Sequence, residues 1–383
     1  MPPDPLQPFH PAVRAWFDSA FEAPTRPQQL GWPAIARGES TLILAPTGSG
    51  KTLTAFLSCL DRLMFTPEPP RSKRCRVLYV SPLKALAVDV ERNLRAPLAG
   101  IAEFAERRGE AYVRPAIAIR TGDTPQADRA RFEREPADIL ITTPESLYLL
   151  LTSKARQALR SIDTVILDEI HALVPTKRGA HLALSIERLV ALGDPRLQRI
   201  GLSATQRPLD EVARFLGGVE RPPSQRRKST DAEAEIADEF TTHQGEVRYR
   251  PVTIVDAGAR KALKLTIEIP VEDMARLSAS SGARGSQGAA SSNSENPEHI
   301  EHIENPSIWS AIHPRLLELV RAHRSTLVFV NSRRLAERLA GALNDLAGET
   351  LVRSHHGSIA RAQRAEVEDL LKAGSLRALV ATS

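Results

Sequence analysis

Cysteine is nearly absent from this sequence of 383 residues. Its two cysteines, Cys59 and Cys75, are too few for a disulfide framework or for a zinc site of four thiolates. Long apolar stretches are also missing: no run reaches about eighteen residues, so no membrane span is expected. The first residues have neither a basic start nor a following apolar stretch, and a secretory signal is not expected. These features predict an intracellular, cytoplasmic protein.

The charge balance is only mildly basic. Lys and Arg number 51 against 46 acidic residues, which gives a net charge of +5 and a pI near 9.4. This excess permits a nucleic-acid partner without demanding one, because it can be spread over a solvated surface. The composition, 42% hydrophobic and 25% charged, is typical of a globular protein, and the length predicts two domains.

Short apolar runs alternate with longer amphipathic stretches from about residue 41 to residue 218. The runs are rich in Val, Ile and Leu, as expected of strands that are buried on both faces. Such alternation predicts an α/β fold in which helices cover both sides of a parallel sheet. The runs lie at residues 41–44, 77–80, 116–119, 139–141, 165–167 and 200–202.

The pattern changes after Gly218. Residues 252–255 and 263–269 alternate as strands do, and residues 278–305 are so rich in Ser, Gly, Asn and Glu that a flexible loop is expected. A second α/β unit then begins and stops directly after a strand, at Ser383, so we expect the chain to be a fragment of a longer protein. The predicted division is 1–218 for the first domain, 219–310 for a linker and 311–383 for a partial second domain.

A phosphate-binding loop is predicted between the first strand and an apolar helix. Gly48 and Gly50 let backbone N–H groups turn toward phosphates, and the helix N-terminus adds its positive dipole end. Lys51 supplies a charge for the β- and γ-phosphates, and the Thr52 hydroxyl is a ligand for Mg²⁺. The flanking strand and helix disfavour a chance Gly-Lys-Thr turn. The predicted ATP contacts here are Ala45, Pro46, Thr47, Gly48, Ser49, Gly50, Lys51 and Thr52.

An acidic pair follows another buried strand. Asp168 and Glu169 are predicted at its carboxyl end, which is the edge where open parallel sheets bind ligands. Asp168 is placed to hold Mg²⁺, directly or through water, and Glu169 to orient and deprotonate the attacking water. The alternative is a helix N-cap, which the phosphate loop upstream disfavours. His171, two residues further on, is predicted to relay the nucleotide state, unless it is an ordinary surface imidazole.

Two shorter patterns complete the predicted nucleotide site. Ser203, Ala204 and Thr205 stand at the end of a strand, where two hydroxyls near the acidic pair are placed to carry a hydrogen-bond change between domains. Thr25 and Gln28 precede the phosphate loop, and the Gln28 amide has the donor and the acceptor that the edge of adenine requires. The alternative for Gln28 is a turn before a helix.

Taken in order, these residues resemble the superfamily 2 helicases with a DEAD/DEAH box, here Asp168-Glu169-Ile170-His171. Three stretches are similar to the large helicase-related (Lhr) family in particular, and the resemblance covers nearly the whole chain. Those stretches are Lys177–Leu184, His313–Leu317 and Asn331–Arg334. The further matching motifs are Ser81–Leu86, Thr121–Asp123, Thr142–Leu147, Val328–Arg334, His355–Ser358 and Val380–Ser383.

The resemblance implies two RecA-like domains, with ATP in the cleft between them and a nucleic-acid strand across both. It implies ATP-driven movement 3′ to 5′ on DNA, unwinding, a role in DNA repair and a place at the nucleoid. The implied partner is single-stranded DNA or a duplex with a 3′ tail. The implied strand contacts are Pro82, Lys84, Thr121, Gly122, Thr142, Pro144 and Glu145 in the first domain, and Asn331, Arg333, His356, Gly357 and Thr382 in the second.

Small hydroxyl residues and loop N–H groups suit phosphate oxygens and carry no sequence information. Each of these positions also has an alternative as a strand-to-helix turn, and Arg333 as part of a solvated helix face.

The family's arginine box does not occur in the 383 residues. Because such arginines contribute about 10³–10⁵ in rate, we expect these residues to bind ATP and hydrolyse it poorly.

Two other functions stay open. Motifs that contact the nucleic-acid backbone do not show whether its sugar is deoxyribose or ribose. An RNA helicase or remodeller is therefore the first alternative. The second comes from another class: a nucleic-acid-binding module that responds to ATP without turnover. A transporter ATPase is disfavoured, since no Leu-Ser-Gly-Gly-Gln element stands between the phosphate loop and Asp168.

Overall fold

A computed structural model describes residues 4–204, 208–220, 248–258, 265–269 and 308–382. The chain divides into two compact units, Met1–Lys261 and Ala262–Ser383. No helix among the described residues is long and apolar enough to cross a membrane. The loop predicted at residues 278–305 lies outside the described residues, and the predicted domain boundaries stay a prediction.

The first unit contains a seven-stranded sheet in which every pair of neighbouring strands is parallel. Its strand order is β3-β4-β2-β5-β6-β1-β7. The strands are β1 Thr41–Leu44, β2 Val77–Val80, β3 Ile117–Arg120, β4 Ile139–Thr142, β5 Thr164–Leu167, β6 Gln198–Ser203 and β7 Thr253–Asp256.

Helices cover both faces of this sheet, and two apolar cores lie between sheet and helices. Side chains alternate between the faces along each strand: Ile43 and Tyr79 belong to one core, and Leu42 and Leu78 to the other. Burial on both faces explains the continuous apolar strands of the sequence. The helices are α1 Pro11–Ala20, α2 Arg26–Ala36, α3 Lys51–Phe65, α4 Lys84–Arg107, α5 Gln126–Arg134, α6 Pro144–Leu151, α7 Lys177–Leu192 and α8 Leu209–Gly217.

The second unit repeats this arrangement on a smaller scale. Its three parallel strands have the order β8-β10-β9, and a separate apolar core packs against them. The elements are α9 Trp309–Ala322, β8 Thr326–Val330, α10 Arg333–Ala347, β9 Val352–His355, α11 Arg361–Lys372 and β10 Ala378–Thr382.

The predicted α/β class, with parallel sheets and a RecA-like fold, is confirmed. The six strands predicted between residues 41 and 202 and the strand predicted at residues 252–255 all occur in this sheet, with ends that shift by at most two residues. The strand predicted at residues 263–269 is wrong where it can be assessed, because residues 265–269 form no strand. Their apolar side chains Leu265, Ile267 and Ile269 are 75–83% exposed, so alternation here reflects no buried face.

Candidate nucleotide and nucleic-acid site

The loop Ala45–Thr52 connects β1 to α3. Gly48 and Gly50 have φ angles of +79° and +85°, in the left-handed region where glycine has no side-chain clash. A Cβ on Gly50 would lie 2.9 Å from the Gln28 Nε2 atom, so the loop is closely packed at this point. α3 starts at Lys51, directly after the second of these turns. The loop therefore leads into the N-terminus of a helix, as a phosphate-binding loop requires.

The side chain of Lys51 folds back over the loop. Its Nζ donates a hydrogen bond to the backbone O of Ala45 at 2.6 Å, and the residue is buried. Burial lowers the pKa of the Lys51 ammonium, while the nearby Glu169 and Asp168 carboxylates oppose that shift. The structure thus brings the predicted lysine of the loop into the same electrostatic environment as the predicted acidic pair.

Asp168 follows β5 and is almost completely buried, at 8% exposure. Its Oδ1 accepts a hydrogen bond from the Glu169 backbone N–H at 2.8 Å, and its Oδ2 accepts one from the Tyr79 hydroxyl. Both carboxylate oxygens are therefore held by the protein. Tyr79 is not among the sequence-predicted residues, although it is the only residue with a hydroxyl in the apolar strand β2.

Glu169 adopts a left-handed conformation, with φ 45° and ψ 42°. The His171 Nδ1 atom lies 3.4 Å from the Glu169 Oε2 atom, but it makes no hydrogen bond within the described part of the chain. Ser203, at the end of β6, has a buried Oγ that is likewise without a hydrogen-bond partner there, and its backbone O accepts from the Ala45 N–H at 3.1 Å. Ala204 is described, whereas Thr205 lies outside the described residues.

Thr25 and Gln28 lie against the phosphate loop. The Thr25 hydroxyl donates to the backbone O of Ser49 at 2.8 Å, and the Gln28 Oε1 accepts from the Thr25 N–H at 2.8 Å. The latter bond is half of a capping box at the start of α2. Gln28 therefore makes the helix-start contact that the sequence offered as an alternative, beside the loop where adenine binding was predicted.

The strand order explains how distant motifs meet. In parallel strands the carboxyl ends share one edge of the sheet, and β5, β6 and β1 are neighbours there. That edge carries Asp168 after β5, Ser203 at the end of β6 and the loop after β1. The predicted nucleic-acid contacts of the first unit follow β3, β4 and β2, which are neighbours on the adjoining part of the edge.

Only some of these predicted nucleic-acid contacts have accessible side chains. Lys84 and Glu145 are exposed, as is Gly122; the buried ones are Pro82, Thr121, Thr142 and Pro144. The Thr142 hydroxyl already donates to the backbone O of Arg120 at 2.6 Å. The buried residues are thus part of the packed edge of the sheet, while the exposed ones reach solvent.

Arg178, in the first turn of α7, connects the loop after β2 to the start of α6. Its Nη2 donates to the backbone O of Pro82 at 3.0 Å, and its Nε donates to the Glu145 Oε1 at 2.6 Å. The guanidinium holds the pKa of the Glu145 carboxyl below its usual value. Arg178 belongs to the Lhr-like stretch Lys177–Leu184, but it is not among the predicted site residues.

The second unit places its predicted contacts at the carboxyl edge of its own sheet. Asn331 follows β8, His356 and Gly357 follow β9, and Thr382 ends β10. Arg333 is exposed, and its Nη1 donates to the Ser358 Oγ at 2.8 Å. His356 is buried, with its Nε2 3.0 Å from the Glu337 Oε1.

Comparisons with known proteins agree with these motifs. A family model described as DEAD/DEAH box helicase matches residues 25–213. The chain is 45% identical to the Lhr helicase/probable uracil glycosylase of Mycolicibacterium smegmatis and 44% identical to the Lhr helicase/uracil glycosylase of Escherichia coli. The alignments cover 99% and 98% of this chain and 24% of each relative. The chain therefore spans about a quarter of the length of these curated relatives.

A solved structure of the Mycobacterium smegmatis helicase Lhr bound to ssDNA and AMP-PNP is also similar. Its TM-score is 0.75 and its sequence identity 47%, over 99% of this chain and 42% of that one. The fold and the order of the motifs are those of a RecA-like helicase unit. The chain belongs to the DEAD/DEAH box helicases, in the Lhr family.

Proposed function

We propose that this chain binds ATP with Mg²⁺ at the carboxyl edge of β5, β6 and β1, as part of an ATP-dependent DNA helicase. One observation carries the proposal: the phosphate loop and the buried Lys51 after β1 lie at the same edge as the buried Asp168 after β5, with β6 between the two strands. Backbone N–H groups of the loop and the Lys51 ammonium bind the phosphates. Glu169 accepts the proton of the attacking water, and His171 with Ser203 responds to the nucleotide state.

The oxygen donors of this site fit Mg²⁺. The ion prefers one or two carboxylates together with substrate phosphates and water, and it does not need an all-protein cage. Asp168 offers a carboxylate whose two oxygens are each held by one hydrogen bond, and Thr52 offers a hydroxyl in the first turn of α3. When bound, Mg²⁺ neutralises charge that develops on the phosphates.

DNA is the proposed partner of the adjoining edge, formed by β3, β4 and β2. The similar Mycobacterium smegmatis protein, at 47% identity, has a structure with ssDNA. Lys84 and the loop at Gly122 are exposed on this edge, and a cation and loop N–H groups suit phosphate oxygens. Movement 3′ to 5′, unwinding and a role in DNA repair belong to the same proposal and rest on the family resemblance.

A binding experiment tests whether this chain prefers DNA or RNA. Fluorescence anisotropy would compare labelled single-stranded DNA and RNA of the same sequence, each with and without a non-hydrolysable ATP analogue. We expect tighter binding of DNA and a further increase in affinity with the analogue. Tighter binding of RNA would instead favour the RNA helicase or remodeller.

Weak ATP turnover by residues 1–383 stays a prediction, and a rate typical of complete helicases would contradict it.

A further inference from the structure

Tyr79 connects the apolar core to the acidic pair. It stands on β2 opposite Ile166 of the neighbouring strand β5. Asp168 lies two residues after Ile166 in the sequence. The side chain is fully buried, and its ring packs on Phe56 with centroids 5.3 Å apart. From this position the hydroxyl donates a hydrogen bond to the Asp168 Oδ2. We propose that Tyr79 is a positioning residue that fixes the Asp168 carboxylate for Mg²⁺.

Two hydrogen bonds, one to each oxygen, hold the Asp168 carboxylate in a single orientation. The Glu169 N–H holds Oδ1 at 2.8 Å and the Tyr79 hydroxyl holds Oδ2, so the carboxylate cannot rotate without breaking one of them. A carboxylate oxygen has two acceptor positions, so each oxygen keeps one for the ion or for a water bound to it. The hydrogen bond from the Glu169 N–H comes from the backbone and needs no particular side chain. The hydrogen bond from Tyr79 depends on the identity of residue 79.

A tyrosine suits this task because its hydroxyl is carried on a rigid ring. The contact with Phe56 and the close packing of the surrounding core hold the ring in place. An ordinary phenol is protonated at neutral pH, so the Tyr79 hydroxyl donates the hydrogen bond and the Asp168 carboxylate accepts it. This inference rests on the proposed nucleotide function, because it concerns the affinity of that same site for Mg²⁺.

The Tyr79→Phe variant tests the inference, because it removes the hydroxyl and keeps the ring. Binding of a fluorescent ATP analogue would be titrated with Mg²⁺. We expect the half-saturating Mg²⁺ concentration to rise roughly tenfold, the effect typical of losing a group that orients a metal ligand. Affinity for the analogue in excess EDTA should stay the same, whereas a general loss of structure would lower it too.

Tyr112→Phe is the matched control. Tyr112 also donates its hydroxyl to a carboxylate, that of Glu106, but on the exposed surface outside the site. It should leave the Mg²⁺ titration unchanged.

A second arm repeats Tyr79→Phe in an Asp168→Asn background, where the hydroxyl has no charged ligand to position. There the substitution should cause no further change, since coupled residues are not additive.

The outcomes separate the two proposals. A Tyr79→Phe protein that folds and titrates with Mg²⁺ like the unmodified chain would overturn the positioning role and leave the nucleotide site intact. An equal shift in the Asp168→Asn background would also overturn it, because the effect would not pass through Asp168. If the unmodified chain binds the analogue without any dependence on Mg²⁺, the proposed function itself fails, and the positioning role with it.

Discussion

Glu169 shows how a single residue departs from ordinary backbone geometry at the candidate site. Among the described residues other than glycine, it alone has a positive φ angle. Such a conformation costs on the order of 1–3 kcal/mol, and proteins retain it mainly where it serves a function. Here it places the Glu169 N–H on the Asp168 carboxylate and the Glu169 side chain beside His171. The strain therefore coincides with the residue that we propose as the base.

The Glu169→Gln variant should keep nucleotide binding and lose residual hydrolysis. The amide preserves size and shape but accepts no proton from water, so single-turnover hydrolysis should fall by about 100-fold or more. Quenched-flow measurement of phosphate release checks this. Glu103→Gln, which alters an exposed glutamate paired with Arg107 on α4, serves as control and should hydrolyse normally. Equal rates in the two variants would remove Glu169 from the role of base.

Elements were predictable to different degrees, for physical reasons. Strands β1 and β2 have the predicted ends, because a strand buried on both faces is a continuous apolar run. The loop Ala45–Thr52 was recognisable because its glycines and its Lys-Thr pair are contiguous. Residues 263–269 have the alternation of a strand, yet residues 265–269 do not pair in a sheet. Local patterning alone therefore does not make a strand.

Contacts between elements were not predictable in the same way. The hydrogen bond from Tyr79 to Asp168 joins residues that are 89 positions apart, and that from Arg178 to Pro82 joins residues 96 apart. No local pattern encodes either contact. Each follows from the strand order, which depends on the packing of the whole sheet. The sequence therefore supplied the candidate ligands, whereas the residues that hold them in place became visible only in the fold.

The loop geometry leads to a prediction for Gly50→Ala. Gly50 and Gly38 have similar positive φ angles, +85° and +78°, so alanine should cost about 1–2 kcal/mol of strain at either. Only at Gly50 does the new methyl group meet another residue, Gln28. We expect both variants to melt at lower temperature and only Gly50→Ala to lose affinity for ATP. Calorimetric titration of both checks this, and equal ATP affinities would contradict the tight packing of the loop.

The arrangement of the first unit places two groups of predicted site residues at one edge of a sheet. The nucleotide residues follow β5, β6 and β1, and the predicted nucleic-acid contacts follow β3, β4 and β2. Because the two groups are neighbours at that edge, we expect a change at bound phosphates to affect the predicted nucleic-acid contacts. Arg178, in α7 after the acidic pair, donates hydrogen bonds to Pro82 after β2 and to Glu145 in the first turn of α6.

Nucleotide binding by Lys51→Ala decides whether the loop Ala45–Thr52 is the ATP site. With Mg²⁺ present, the unmodified chain should bind a fluorescent ATP analogue saturably, and ATP should displace it. The Lys51→Ala variant should bind at least about tenfold more weakly, since a charge-assisted hydrogen bond to phosphate is lost. Lys73→Ala, which removes an exposed lysine before β2, should bind normally. Equal affinity of the Lys51→Ala variant and the unmodified chain would contradict the assignment.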